Sequence, residues 1–350
     1  MKRLHLTLLA LSACFAGNAQ LVTQPLKAAK DTANGIVYAL PAVALEIEVD
    51  TRCTEEAPGP YFQYAERFLG TKDVRQTEST HYALKGFRLK TSTLPDPQQT
   101  YVISTGKKAK GWSIQLTEQG FLRAINGKVV PPVASAVKSS PKATRSEDRP
   151  WETAPSSIFT KDMQLASSTA KMAELAANQL FAIRDARFNL LTQESDKTPS
   201  DGSSYRTVLS ELNRMESAYR ALFEGSQKQT FQTHTFTWYP EKDTVEILFR
   251  FSALKGILGA DNLAGSPYYL CVRRLPETAD AYKVDRSAAL KGIYYRRPAK
   301  AVIEITDGKD VAFSQEVTLP QCGNVMSLPA SQIGSVDLDP NTGALLRVSK

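Results

Sequence analysis

With 350 residues, 42% of them hydrophobic and 23% charged, the chain holds enough apolar matter for one large or two medium cores, which excludes disorder as its ordinary state. Its formal net charge of +7 is spread along the sequence without a long basic run, so nucleic-acid binding has no support beyond the pI of about 9.1. Four cysteines are too few for a disulfide framework, and none stands in a CxxC or Cys/His spacing that would frame a metal site.

The chain opens on an export signal. Lys2 and Arg3 precede an apolar run from Leu4 to Ala16 that carries His5 and falls short of the roughly twenty residues a membrane-spanning helix needs. Gly17-Asn18-Ala19 before Gln20 fits the small-x-small rule, so residues 1–19 read as a signal peptide cleaved between Ala19 and Gln20. Leu11-Ser12-Ala13-Cys14 also fits a lipobox, in which Cys14 is acylated and anchors the protein to a leaflet at about 0.8 kcal/mol per buried methylene. The run continues through Phe15 and Ala16, which favours the later cleavage and a soluble chain beginning at Gln20. Loss of Lys2 and Arg3 leaves 41 basic and 36 acidic residues, a net of +5 that suits a surface near acidic lipids or glycans.

Residues 20–127 read as an N-terminal β-rich domain. Gly35–Pro41 and Ala44–Val49 alternate as half-buried strands do, with Pro41 marking a break or bulge. Pro58-Gly59-Pro60 opens a short helix over Tyr61–Leu69 that Gly70 stops. Strands follow around Tyr82–Thr91, Tyr101–Ser104, Trp112–Leu116 and Phe121–Ile125, with Pro95-Asp96-Pro97 and Gly120 as turns. Residues 128–157, rich in proline, serine and alanine, read as a linker or surface loop without a core face.

Residues 158–227 read as an antiparallel helical hairpin. Lys161–Leu191 runs without proline or glycine, and Met172, Ala176, Leu180, Ile183, Arg187 and Leu191 share one side. A second helix starts near Ser200-Asp201, carries Tyr205, Leu209, Leu212, Met215, Tyr219, Leu222 and Phe223 on its apolar face, and stops at Gly225. Each stripe is wider than one partner helix covers, so the hairpin is expected to join the core.

Residues 228–350 read as a C-terminal β-rich domain, with strands at Thr237–Tyr239, Val245–Phe251, Tyr268–Val272, Ile293–Arg296, Ala301–Ile305 and near Gly343–Val348. The expected fold class is α+β, with the helical hairpin between two β-rich domains. Gly35–Ala44 aligns without a gap to Gly292–Ala301, matching at glycine, isoleucine, tyrosine, proline and two alanines, after which the alternation slips by one residue. The echo reads as two similar bulged strands.

The stretches Gly35–Pro41, Leu45–Val49, Gly59–Tyr61, Tyr64–Gly70, Ile183–Arg187 and Gly292–Pro298 together resemble a family of exported proteins of unknown function from Bacteroidetes. The resemblance covers nearly the whole mature chain. It implies an envelope or secreted location in a Gram-negative bacterium and supplies no catalytic residues.

Side-chain chemistry is sparse. After processing the only histidines are His81 and His234, both read as surface or strand residues, and no GxSxG elbow, HExxH helix, phosphate loop or dinucleotide fingerprint occurs. No catalytic residue, cofactor or metal is assigned. Glu46 and Glu48 share one strand face, read as solvated rather than as an acid pair. Arg184 and Arg187 are expected to pair with Glu211 or Glu216 of the facing helix. Cys271 and Cys322 are the two cysteines whose strand-like segments allow one disulfide, against a reading as buried thiols. Tyr294-Tyr295-Arg296-Arg297 is the best contact surface, because alternation places Tyr295 and Arg297 on one face, a ring that stacks on sugar beside a guanidinium that forks to an acid. The expected function is a non-enzymatic binding or assembly module of the cell envelope, in the periplasm, at the outer membrane or secreted. Its expected partner is an envelope protein, an acidic glycan or a lipid phosphate, with no nucleic acid and no transmembrane span. The alternative is a periplasmic or secreted hydrolase of glycans or peptides.

Overall fold

Alternating β-branched and aromatic residues give strands far longer than the usual five or six residues. The computed structural model of the chain describes residues 21–28, 35–105, 112–127, 158–192, 202–276 and 291–349. In chain order the elements are β1 (Leu21–Pro25), β2 (Gly35–Ala57), a short helix α1 (Ala65–Leu69), β3 (Ser79–Thr105), β4 (Ile114–Leu116) and β5 (Leu122–Ile125). Helices α2 (Lys161–Leu165), α3 (Thr169–Thr192) and α4 (Gly202–Glu224) follow. The last strands are β6 (Ser226–Trp238), β7 (Thr244–Ser252), β8 (Gly256–Leu258), β9 (Ser266–Arg274), β10 (Gly292–Thr306), β11 (Val311–Pro329), β12 (Ser335–Leu338) and β13 (Leu345–Ser349). The fold is α+β. Three antiparallel sheets run β1-β3-β2-β6, β11-β10-β9-β7-β8 and β13-β12-β5-β4, and the pair α3 and α4 lies between the N- and C-terminal β regions.

The sheets cross the boundaries drawn from sequence. The first sheet takes β6 from beyond the helices, and the third joins β4 and β5 of the N-terminal region to β12 and β13 of the C-terminal one. Two cores are shared in the same way. Val43, Leu45, Ile47 and Val49 of β2 pack against Phe249, Leu270, Val272, Ala301, Ile303 and Leu319 of the second sheet. Each such side chain, withdrawn fully from water, contributes about 1.5–3 kcal/mol. A second cluster gathers Tyr38, Tyr101 and Ile103 with Ile293, Tyr294, Val325, Val336 and Ile125. The β-rich regions thus complete one another: an alternating strand buries only one face, and here the covering face comes from the other half of the chain.

The helices form a third core of their own. Ala173, Ala176, Leu180, Ile183, Tyr219, Leu222 and Phe223 pack with Tyr61 and Ala65, and Phe68, Leu69 and Val74 lie against them. The stripe that one helix leaves uncovered is met by the segment between β2 and β3, through a Tyr61 N–H that donates to the Leu222 carbonyl at 2.8 Å. Among the described residues this cluster takes none from the three sheets. The long first helix is also divided into α2 and α3, and Leu190 is buried whereas Leu191 is 55% exposed. Gly225, at φ +90°, ends α4 and turns the chain directly into β6.

The echo between Gly35–Ala44 and Gly292–Ala301 corresponds to a repeated succession of elements. Both β2 and β10 head a long hairpin, with β3 and β11, followed by a short one, β4 with β5 and β12 with β13. Both hairpins break register at their proline. Opposite Ala39 and Pro41 the partners are Thr100 and Pro95, so β3 loops out residues 96–99; opposite Arg297 and Ala299 they are Asn324 and Leu319, so β11 loops out residues 320–323. Proline has no N–H to give the ladder, which explains why the bulges fall there. The one-residue slip in the sequence alignment is this difference in bulge position. The aligned residues Ala39 and Arg296 both donate their N–H to a turn glycine, Gly120 at 3.0 Å and Gly343 at 2.9 Å, each at positive φ.

Candidate binding surface

The start of β10 is held by its buried face. Tyr294 is fully buried and stacks on Tyr101 at 4.5 Å between ring centroids, and Tyr101 stacks on Tyr38 at 5.6 Å. The Tyr38 hydroxyl accepts from the Tyr294 N–H at 3.0 Å and donates to the Tyr294 carbonyl at 3.1 Å, so one side chain satisfies the strand edge where no neighbouring strand pairs. Burial pushes the Tyr38 phenol well above its ordinary range. Arg296, 2% exposed, donates to the Asp96 carboxylate and, at 3.2 Å, to the Pro320 carbonyl. Asp96 belongs to the bulge of β3 and Pro320 to that of β11, so one guanidinium joins both bulges. Burial lowers the Arg296 pKa and the Asp96 charge opposes that shift. A second cross-tie comes from Gln321, whose amide accepts from Val43 N–H at 3.1 Å and donates to the Val43 carbonyl at 2.7 Å.

Alternation then turns Tyr295 and Arg297 to the other face. Tyr295 is half-buried against the second cluster described above, and Arg297 is exposed. The two stand two residues apart on one face of β10, and desolvation raises the Tyr295 phenol while the Arg297 charge opposes that shift. Their cross-strand neighbours on β11 are Met326 and Asn324, both half-buried. Gly323 makes the approach of β11 feasible, because a Cβ there would lie 2.0 Å from the Arg297 carbonyl oxygen. Among the described residues Arg297 has no ion pair, in contrast to Arg88, Arg184, Arg187, Arg273, Arg274, Arg296 and Arg347. The patch therefore presents an unpaired guanidinium beside an aromatic ring on a strand whose other face is locked.

The other residues singled out by sequence are dispersed. Arg184 and Arg187 both bind Glu216, the first at 2.9 Å, while Glu211 pairs with Arg214 on its own helix. Glu48 binds Lys90 and, at 2.9 Å, Arg88, and Lys90 followed by Arg88 holds its carboxyl below the usual range against some desolvation. Glu46 stands beside Glu48 on the outer face of the first sheet, opposite Lys90 and Thr237. His81 is exposed and His234 half-buried, opposite Thr54 and Val49 of β2. Cys53, Cys271 and Cys322 are free thiols. Cys322 points into the core with Leu270 and Val272, whereas Cys271, between those two on β9, alternates to the opposite face, so the structure does not bring the pair together. Cys14, Ala19 and Gln20 lie outside the described residues.

Sequence reasoning missed Asp96 and Arg296. Pro95-Asp96-Pro97 reads as a turn, and Arg296 enters only as part of the Tyr294–Arg297 stretch, with no partner assigned. The available signal was alternation itself, since any face that exposes Arg297 must turn Arg296 inward, where it needs a carboxylate.

No group of three or more His, Cys, Asp or Glu side chains able to hold a metal occurs among the described residues. No helix among them is long and apolar enough to cross a membrane. None of the curated proteins and none of the solved structures compared matches the chain. A family of domains of unknown function, DUF4831, matches residues 34–346, a span that begins at the entry to β2, takes in both long hairpins and the helix pair, and ends within β13. The chain belongs to the DUF4831 family.

Proposed function

We propose that this protein is a non-enzymatic binding or assembly module of a bacterial cell envelope, exported by its leader to the periplasm, the outer membrane or the medium. The observation that carries the reading is the exposed, unpaired Arg297 beside the half-buried ring of Tyr295. Their chemistry suits an acidic glycan or a lipid phosphate. A guanidinium forks to two anionic oxygens, and a ring fixed on one side offers the other to an apolar sugar face.

Binding of this kind weakens as salt rises, because exposed charges are screened beyond a Debye length of about 8 Å at physiological ionic strength. The test is an array of glycans and lipids followed by titration at two salt concentrations. Arg297→Ala is expected to lower affinity about tenfold or more, since hydrogen bonds to charged groups contribute about 1.5–3 kcal/mol, and to flatten the salt dependence. Tyr295→Ala is expected to lower affinity and leave the salt dependence as it was. Binding that survives the double substitution, or no binding to any anionic surface, rejects this site and leaves an envelope protein as the partner.

A further inference from the structure

Among the described residues, β6 is the outermost strand of the first sheet, and its outer edge is unlike the others. It runs for 13 residues in unbroken register with β2, from Leu45 opposite Trp238 to Ala57 opposite Ser226. It contains no proline and no bulge, and its only Lys, Arg, Asp or Glu is Lys228. Soluble proteins blunt sheet edges with proline, bulges, inward charges or short strands, because a bare row of N–H and C=O groups pairs with any extended chain. The remaining edges among the described residues carry such devices, including β3 where β1 does not cover it, with Lys85, Lys90, Pro95 and a register shift, and β7 where β8 does not, with Glu246 and a register shift. Strand β1 has 5 residues and ends on Pro25. Strand β11 carries Glu316, Pro320 and Pro329 and two register shifts. Strands β4 and β8 have 3 residues each, and β13 has 5.

We propose that β6 is the interface of a homodimer, pairing antiparallel with β6 of a second copy to give one continuous sheet. A two-fold axis perpendicular to the sheet at Thr233 sets Thr233 opposite itself. It places Phe231 opposite the second copy's Thr235, Thr230 opposite its Phe236 and Lys228 opposite its Trp238. Aromatic residues thus meet threonines, the lone cation meets an indole face, and no two lysines oppose each other. Phe231, 46% exposed, lies on the outer face with Thr233 and Thr235, while Phe236 lies on the inner face and stacks on the buried Phe249 at 5.5 Å, so the added strand meets an aromatic ring on each face. The carboxylates opposite the paired span, Glu46, Glu48, Asp50 and Glu55, lie one strand inward on β2, and Glu48 and Asp50 among them are bound by Arg88 and Lys90. In the dimer those two rows are three strand spacings apart, about 14 Å, beyond the Debye length of about 8 Å. Pairing from 228 to 238 on each copy supplies on the order of ten main-chain hydrogen bonds, the number typical of a specific interface. Closure is complete, because an isologous contact uses the same edge on both copies.

Sedimentation of the mature full-length chain over a concentration series tests this. The expected result is a reversible dimer. Thr233→Lys sets two like charges face to face across the axis, while Asp50, which accepts a 2.6 Å hydrogen bond from Thr233, steadies the new side chain within each copy. It is expected to raise the dissociation constant at least tenfold at low salt, with partial recovery at high salt. In an oxidising buffer, Thr233→Cys is expected to give a disulfide-linked dimer on a non-reducing gel. A monomeric wild type at every concentration, or a dimer that Thr233→Lys leaves unchanged, overturns the proposal. If Thr233→Lys fails to fold, amide exchange of the wild type decides. Protection of β6 that rises with protein concentration supports the dimer, and protection independent of concentration overturns it by placing another segment on that edge.

Discussion

At the scale of single residues, Arg296 carries more of the architecture than any residue that sequence alone singled out. Its guanidinium is 2% exposed, and its charge is met by Asp96 from a bulge 200 positions away. Removing one partner of a buried ion pair leaves the other charge uncompensated, at a cost of about 3–5 kcal/mol. Asp96→Asn keeps the side-chain oxygen that accepts the Gln98 N–H at 2.8 Å and deletes the charge. It is expected to lower the free energy of unfolding in urea by about 3 kcal/mol or more. Adding Arg296→Met to the same chain is expected to restore most of that loss, because replacing both members of a buried pair by apolar groups is often close to neutral. A double variant no more stable than Asp96→Asn alone would show that the pair is not what joins the bulges. Arg297, one residue on, is exposed for the same reason that Arg296 is buried, and the surface proposed for ligands depends on that alternation.

At the scale of elements, strand alternation, helix ends and the two bulged strands were legible, while strand length and partner were not. Pro41, Pro95, Pro97 and Pro298 suggest breaks, yet β2, β3 and β10 run through them because bulges absorb the missing donors. Strand β11 was legible only as a strand-like segment around Cys322, because Pro320 and Gly323 interrupt its alternation, and both residues belong to its bulge. The helix pair shows how a correct element finds an unexpected partner. Leu222 is fully buried in a cluster made of helices and the Tyr61–Val74 segment, whereas Leu212 is only half-buried. Leu222→Ala is expected to cost about 2–5 kcal/mol and Leu212→Ala clearly less, since the penalty follows the cavity left behind. Helical circular dichroism in Leu222→Ala should melt before the near-ultraviolet signal of the stacked tyrosines. Coincident melting of both signals would mean that the helical core is not a separate cooperative unit.

At the scale of the whole molecule, buried tyrosines join the halves and set an alkaline limit to stability. Burial raises the phenols of Tyr38, Tyr61, Tyr219 and Tyr295 above the ordinary value of 10.0. Below about pH 10 the phenols are neutral in both states, and their contribution is fully present. Above it the unfolded chain releases protons that the folded one keeps, so stability falls as pH rises toward the folded values. Of the thirteen tyrosines, the buried ones are expected to ionise in a step that coincides with loss of tertiary structure, and Tyr38→Phe should reduce that step. Complete ionisation of all tyrosines with the fold intact would contradict the burial of these rings. The sequence by itself determined the α+β class, the faces of β2 and β10, the helix stops at Gly70 and Gly225, and the repeated bulged strand. These follow from local periodicity, from proline and from glycine, which act over a few residues whatever lies beyond them. Only the tertiary structure decided that Asp96 meets Arg296, that Gln321 meets Val43, that β6 closes the sheet begun by β1 to β3, and that Cys271 and Cys322 face apart. Each of these pairs residues far apart in the chain, and what selects them is burial of the second face of a strand, which periodicity announces without naming the surface that covers it.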